Sequence, residues 1–201
     1  MTEIMPAHGA KALKRACFWL REGDIIALPT DTGYALAANP FERFAVRQLL
    51  DLASLPLTLI ITQVDDLNQV ARRVPGRAWP LLQSLWPGPL WVMLPQNPKL
   101  PPEVTGGQAT VTARLPDHPV CVALATAFGR PLAVTAGALP ALAPELAAHF
   151  GPELALVLDG GPQAVASPPP MLDLSVDPPR LVQPGELEPD QLRQFLPDLQ
   201  A

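Results

Sequence analysis

The richest polar segment of the sequence is Pro29-Thr30-Asp31-Thr32-Gly33-Tyr34, which directly follows the apolar run Ile25–Leu28. Two threonine hydroxyls, a carboxylate and a phenol can orient a small polar ligand through hydrogen bonds. The same groups can instead bond their own backbone, as Asp and Thr do where a chain reverses. Arg114 is the second feature. It closes the alternating segment Thr110-Val111-Thr112-Ala113-Arg114, so Thr112 and Arg114 share one face of a strand and Val111 and Ala113 the other. A guanidinium on a packed sheet needs a partner, because burying its charge alone is costly. Asp31 or Asp117 would serve as a structural partner. A ligand carboxylate or phosphate, held by the guanidinium fork, would serve as well.

Other chemistries lack their motifs. The sequence has no G-x-x-x-x-G-K-[ST] loop, no G-x-G-x-x-G and no G-x-S-x-G. His8, His118 and His149 lack metal-ligand spacing, and no cysteine pair supports them, so no metal site is expected. Cys17 and Cys121 each lie among apolar residues at helical spacing and read as buried free thiols. Net charge is −5, and the fourteen Lys and Arg are scattered, which argues against a dedicated nucleic-acid binder. Arg72, Arg73 and Arg77 form the densest basic group and read as a solvated surface. Met1 to Ala10 lacks the apolar core of a signal peptide. No apolar run is long enough to span a membrane. The expectation is a cytoplasmic protein without a membrane partner.

These groups must be held by regular elements, and the pattern predicts which. A first helix spans about Ala10–Arg21, with Ala10, Leu13, Cys17 and Leu20 on one face. Strand Ile25–Leu28 follows Gly23-Asp24 and stops at Pro29. Helices fit about Glu42–Leu52, Arg77–Trp86, Val120–Phe128, Pro144–Phe150 and Pro189–Phe195, with a short one over Asp65–Ala71. Strands fit Leu57–Thr62, Leu90–Leu94, Thr110–Leu115, Leu132–Thr135, Leu154–Leu158, Met171–Ser175 and Arg180–Gln183. Alternating strands and helices predict one α/β domain over residues 1–201, built on a mixed twisted sheet. The late, closely spaced strands suggest antiparallel pairing. Ligands of such sheets sit where loops gather, which directs attention to Pro29–Tyr34, Pro116–His118 and Ala136–Pro140.

Several segments, taken in order, carry a resemblance. They are Pro29-Thr30-Asp31-Thr32 with Tyr34 and Leu36, then Leu85-Trp86-Pro87-Gly88-Pro89-Leu90, then Arg114-Leu115-Pro116-Asp117-His118-Pro119. Gly129–Thr135, Leu158-Asp159-Gly160-Gly161 and Leu172-Asp173 follow. Together they resemble the YrdC/YciO family of threonylcarbamoyl-AMP synthases and their relatives, over about Ala10–Gly185. The C-terminal helix at about 189–195 lies beyond it. The resemblance implies a YrdC-like open twisted mixed sheet with helices packed on it and a central cleft. It also implies substrate-binding roles for Thr30, Thr32, Tyr34, Arg114 and Thr135, with Arg114 holding a threonine carboxylate. Active members join threonine, bicarbonate and ATP, with Mg, into threonylcarbamoyl-AMP for tRNA modification.

The sequence also departs from the family. Ala53 and Leu55 stand where the family has lysine and arginine. Ala136-Gly137-Ala138 replaces its Ser-Ala-Asn, Pro169-Pro170 its late Ser-Thr, and Gln183 its last arginine. These losses imply a paralogue that binds threonine or a nucleotide with impaired or lost synthase activity. An active synthase is the alternative, and a double-stranded RNA-binding module a further one.

Overall fold

The computed structural model describes residues 2–53, 57–135, 139–163 and 169–200. Leu55, Ala136–Ala138 and Pro168 lie outside them. In chain order the elements are β1 (Glu3–Pro6), α1 (Ala10–Glu22), β2 (Ile26–Thr30), β3 (Gly33–Ala38), α2 (Arg43–Leu52) and β4 (Leu57–Ile60). Then come α3 (Leu67–Val70), α4 (Ala78–Leu85), β5 (Trp91–Pro95), β6 (Thr110–Arg114), α5 (Pro119–Phe128) and β7 (Leu132–Thr135). The chain closes with α6 (Ala143–Phe150), β8 (Leu156–Asp159), β9 (Met171–Asp173), β10 (Arg180–Gln183) and α7 (Pro189–Arg193).

The strands form one mixed sheet in the order β1-β8-β2-β3-β7-β4-β6-β5-β9-β10. Parallel pairs (β1–β8, β2–β8, β4–β6, β5–β9) are combined with antiparallel ones (β2–β3, β3–β7, β4–β7, β5–β6). The late pair β9–β10 is antiparallel, as expected. Helices cover both faces, which explains why most strands read as continuous apolar runs. On one face α1 and α5 pack over Ile26, Leu28, Ala35, Ala37, Ile60 and Val134. On the other, α2, α3, α4, α6 and α7 enclose a larger core with Leu36, Leu59, Val92, Val111, Ala113 and Ala133.

Three expectations are corrected. The strand at Ile25–Leu28 does not stop at Pro29. It runs to Thr30 and turns directly into β3, with Pro29 opposite Tyr34. Proline is tolerated there because β8 pairs β2 only at Ile26 and Ala27, so no neighbour requires its missing N–H. β1 and β3 had no strand signal. β1 is a short edge strand without apolar alternation, and β3 begins inside the segment read as a loop. The buried stripe of α1 is Ala12, Ala16, Cys17 and Leu20, with Ala10 exposed. Gly23 ends that helix at φ 89°, a left-handed position that glycine adopts without strain.

Leu28 is fully buried beneath the hairpin, in the core shared by α1 and α5. Leu28→Ala is expected to lower the unfolding free energy by about 2–5 kcal/mol, read by urea denaturation. A loss under about 1 kcal/mol would contradict this packing.

Candidate functional site

The β2–β3 hairpin closes through Asp31 and Thr32, between the paired Thr30 and Gly33. The Thr30 hydroxyl donates to the Gly33 carbonyl at 2.7 Å and accepts the Thr32 N–H at 3.1 Å. It also lies 3.1 Å from the Thr32 hydroxyl. Thr30 is buried and saturated, so the turn reading holds for it. Thr32 is half-buried and retains acceptor capacity.

Arg114 reaches this turn from β6. Its side chain is only 3% exposed, and Nη1 donates to Asp31 Oδ1 at 2.7 Å. Of the two structural partners the sequence offers, Asp31 is the one engaged. The guanidinium carbon lies 5.5 Å from the Trp91 ring centroid, a cation–π distance. The pairing is incomplete: Arg114 Nε is buried with no acceptor among the described residues. Thr58 Oγ1 and His118 Nδ1 are orphaned in the same way. Buried polar atoms are nearly always paired; Trp19 Nε1 and Glu103 Oε2 are further exceptions elsewhere among the described residues.

The sheet register places these atoms. Thr58 is opposite Thr112, Ile60 opposite Arg114, and Met93 opposite Thr112. Opposed residues project to one face, so Thr58, Thr112, Met93 and Arg114 share the face away from Val111 and Ala113. A cavity of about 290 Å³ opens beside this row, lined by Thr105, Gln108, Thr110 and Thr112 together with Leu57 and Met93. Its described lining contains no Lys or Arg.

His118 precedes α5 and feels the charges of the hairpin. Burial pushes its imidazole below the usual histidine range, Asp31 pulls it back up, and Arg114 and His8 lower it further. Cys121, one turn into α5, donates its S–H to the Pro29 carbonyl at 3.3 Å. Burial pushes its thiol up to about 12, so it is an inert packing residue. Cys17 is likewise a buried free thiol.

Tyr34 and Thr135 are placed differently. Tyr34 faces the larger core, opposite to Arg114. Its hydroxyl donates to the Gly161 carbonyl at 2.9 Å and accepts the Gly160 N–H at 3.1 Å. Asp159 Oδ1 lies 3.4 Å away and itself accepts the Gly161 N–H. Burial raises the phenol's pKa above its ordinary value. Thr135 is buried, and its hydroxyl accepts the Leu36 N–H at 3.1 Å. The expected set therefore divides into a hairpin group (Thr30, Thr32 and Arg114, with Asp31 as the partner of Arg114) and two residues, Tyr34 and Thr135, that brace the neighbouring strands. Thr58 and Trp91 join the hairpin side without having been singled out, and His118 joins it from the loop Pro116–His118 to which the sequence pointed. The period-two pattern of β6 carried a signal for Arg114, but orphaned atoms such as Thr58 Oγ1 emerge only once strands are paired.

Ala53 and Gln183, read from the sequence as departures, both lie among the described residues. Ala53 caps α2, its N–H bonded to the Leu49 carbonyl at 3.0 Å. Gln183 on β10 donates to the Pro169 carbonyl at 2.8 Å.

The chain is an open mixed α/β sheet with an incompletely satisfied guanidinium beside a hairpin. The family model Sua5/YciO/YrdC, described as "Telomere recombination", matches residues 19–185. The chain belongs to this family. It is 32% identical over 190 residues to the threonylcarbamoyl-AMP synthase of Bacillus subtilis, covering 90% of this chain and 55% of the relative. It is 30% identical over 196 residues to that of Pyrococcus abyssi, covering 93% and 58%. The chain thus spans a little over half the length of these relatives. A crystal structure of P. abyssi Sua5 complexed with L-threonine superposes with a TM-score of 0.87 at 27% identity, covering 100% of this chain and 62% of the other. Escherichia coli YciO shares the fold, with a TM-score of 0.82 at 23% identity, covering 98% and 100%. No described helix is long and apolar enough to cross a membrane.

Gly160 is packed against the hairpin. A Cβ there would lie 2.7 Å from Pro29 Cγ and 2.9 Å from Pro29 Cβ. Gly160→Ala is expected to cost about 1–3 kcal/mol of stability by this overpacking, measured by urea denaturation. An unchanged midpoint would contradict the contact.

Proposed function

We propose that this domain binds L-threonine at the Asp31–Thr32 turn and Arg114, and acts as a threonylcarbamoyl-AMP synthase. The observation that carries the reading is the buried guanidinium of Arg114, joined to Asp31 through Nη1 and left with an unpaired Nε. A carboxylate arriving at that edge completes its hydrogen bonding. The names of the Bacillus and Pyrococcus relatives, and the L-threonine in the Pyrococcus complex, support the choice of ligand.

In this reading the threonine amine loses a proton and attacks the carbon of bicarbonate. A C–N bond forms and water leaves. The resulting carbamate oxygen then attacks the α-phosphorus of ATP, and the bond to pyrophosphate breaks. Arg114 anchors the threonine carboxylate, and the Thr32 hydroxyl orients the small ligand. Thr30 fixes the turn that presents both. Tyr34 and Thr135 hold the strands around it. In this reading the nucleotide occupies the cavity beside Thr110 and Thr112. Among the described residues no three metal-ligating side chains gather, so magnesium would enter on the triphosphate of the substrate. In this reading the domain acts in the cytoplasm.

A second reading has its own support. The cavity's described lining lacks a cation, Ala53 stands in place of the family's lysine, and Gln183 in place of its arginine. Triphosphate chemistry draws heavily on such cations. These substitutions favour a paralogue that binds threonine without turnover. The RNA-binding alternative finds less support, because several arginines are engaged in ion pairs on an acidic chain.

Two measurements separate these readings. Calorimetry should show L-threonine binding that weakens at least about 30-fold in Arg114→Ala, the loss of roughly 2 kcal/mol from a charge-assisted contact. Equal affinity in the variant, with its fold intact by thermal melt, sinks the site. Pyrophosphate release from ATP should require both threonine and bicarbonate. Threonine binding without any release at high protein concentration replaces the synthase reading with the paralogue.

A further inference from the structure

A second pocket, of about 410 Å³, lies at the other end of β3 from the hairpin and is lined by Phe41, Asn68, Gln69, Lys99 and Arg130. The register shows why these residues meet. Ala38 pairs with Ala133, and Ile60 with Leu132, so the chain leaving β3 at Phe41, the chain entering β7 at Arg130 and the segment after β4 converge. None of the hairpin residues reaches it.

Its chemistry is specific. The Arg130 guanidinium carbon lies 5.8 Å from the Phe41 ring centroid. Lys99 and Arg130 are exposed, and neither has an ion-pair partner among the described residues. The loop carrying Lys99 is fixed in place. Asn97 donates through Nδ2 to the Asn68 carbonyl at 3.1 Å, its Oδ1 accepts the Lys99 N–H at 3.0 Å, and its own N–H bonds the Val70 carbonyl at 2.9 Å. The Gln69 amide is oriented by Asp66 at 3.0 Å, which leaves its oxygen as an acceptor. The neighbouring acid on the loop after Lys99, Glu103, is neutralised by both Arg43 and Arg47. Two uncompensated cations, an aromatic wall and two side-chain amides thus share one concavity on a chain whose net charge is −5.

We propose that this pocket binds a nucleotide unit, with its phosphate on Lys99 and Arg130, its base against Phe41, and its base edge read by Asn68 and Gln69. Aromatic–base stacking beside phosphate-binding cations is the general means of holding unpaired nucleotides. A cavity of this size suits one unit. The unit is either a free mononucleotide or part of a single strand. Both present the same chemistry to the pocket.

The test titrates uridine monophosphate and a four-residue oligouridylate into the whole chain, followed by calorimetry. Lys99→Glu with Arg130→Glu, both exposed and without ion-pair partners among the described residues, should weaken uridine monophosphate binding at least tenfold. Arg114→Ala should leave that binding unchanged, and threonine binding should survive the double charge reversal, so failure here is distinct from failure of the threonine site. Tighter binding of the oligouridylate with the same dependence on Lys99 and Arg130 assigns the unit to a strand. Equal binding assigns it to a free nucleotide. No binding at millimolar uridine monophosphate, or binding indifferent to the double reversal, overturns the proposal.

Discussion

The ion pair between Arg114 and Asp31 joins two parts of the chain that are 83 residues apart. Asp31 sits on the turn of the β2–β3 hairpin, and Arg114 ends β6, three strands from β3 in the sheet order. A guanidinium as buried as this one is strongly disfavoured without a counter-charge. Asp31 supplies that charge only when the hairpin folds over to meet β6. The pair therefore fixes the position of the hairpin, and the hairpin fixes Thr32. Everything proposed for the site depends on this one contact.

Other interactions keep the hairpin from relaxing away from it. The Thr30 hydroxyl closes the turn from within. Pro29 packs on Gly160 and accepts a hydrogen bond from Cys121, which ties the strand to both β8 and α5. Tyr34 binds the Asp159–Gly161 turn from the other face. The Thr135 hydroxyl links β7 to β3 at Leu36. Tyr34 and Thr135 thus act on the site through the backbone rather than by direct contact. This arrangement explains why a short polar segment with several ligand-like groups exposes few of them: most are engaged in making the turn rigid. Rigidity of this kind reduces the ordering cost of capturing a small ligand.

Much of the fold was legible because its strands are bounded by Gly and Pro and its helices carry clear apolar stripes. β3 was not, because small residues (Ala35, Ala37, Ala38) bury on both faces without a β-branched or aromatic pattern. β1 was not, because an edge strand needs no apolar alternation. Pro29 misled because its effect depends on whether the next strand requires its N–H, a question only the pairing of β2 with β8 answers. The importance of Arg114 was legible from alternation within β6, and Asp31 was among its candidate partners. The separation of Tyr34 from Arg114 was not legible, since residues close in sequence or shared by one motif can face opposite sides of a sheet. The loop of His118 was legible, but that Thr58 Oγ1 and His118 Nδ1 are unpaired was not, because hydrogen-bond deficits belong to the packed structure.

The central claim is that Arg114 is held ready, with one edge on Asp31 and the other waiting for a carboxylate. The most direct measurement is the nitrogen-detected NMR signal of Arg114 Nε–H, assigned by its loss in Arg114→Lys, with and without L-threonine. Threonine should move this signal downfield and slow its exchange with water, while the Asp31 contact persists. A signal that neither shifts nor gains protection at saturating threonine would contradict it.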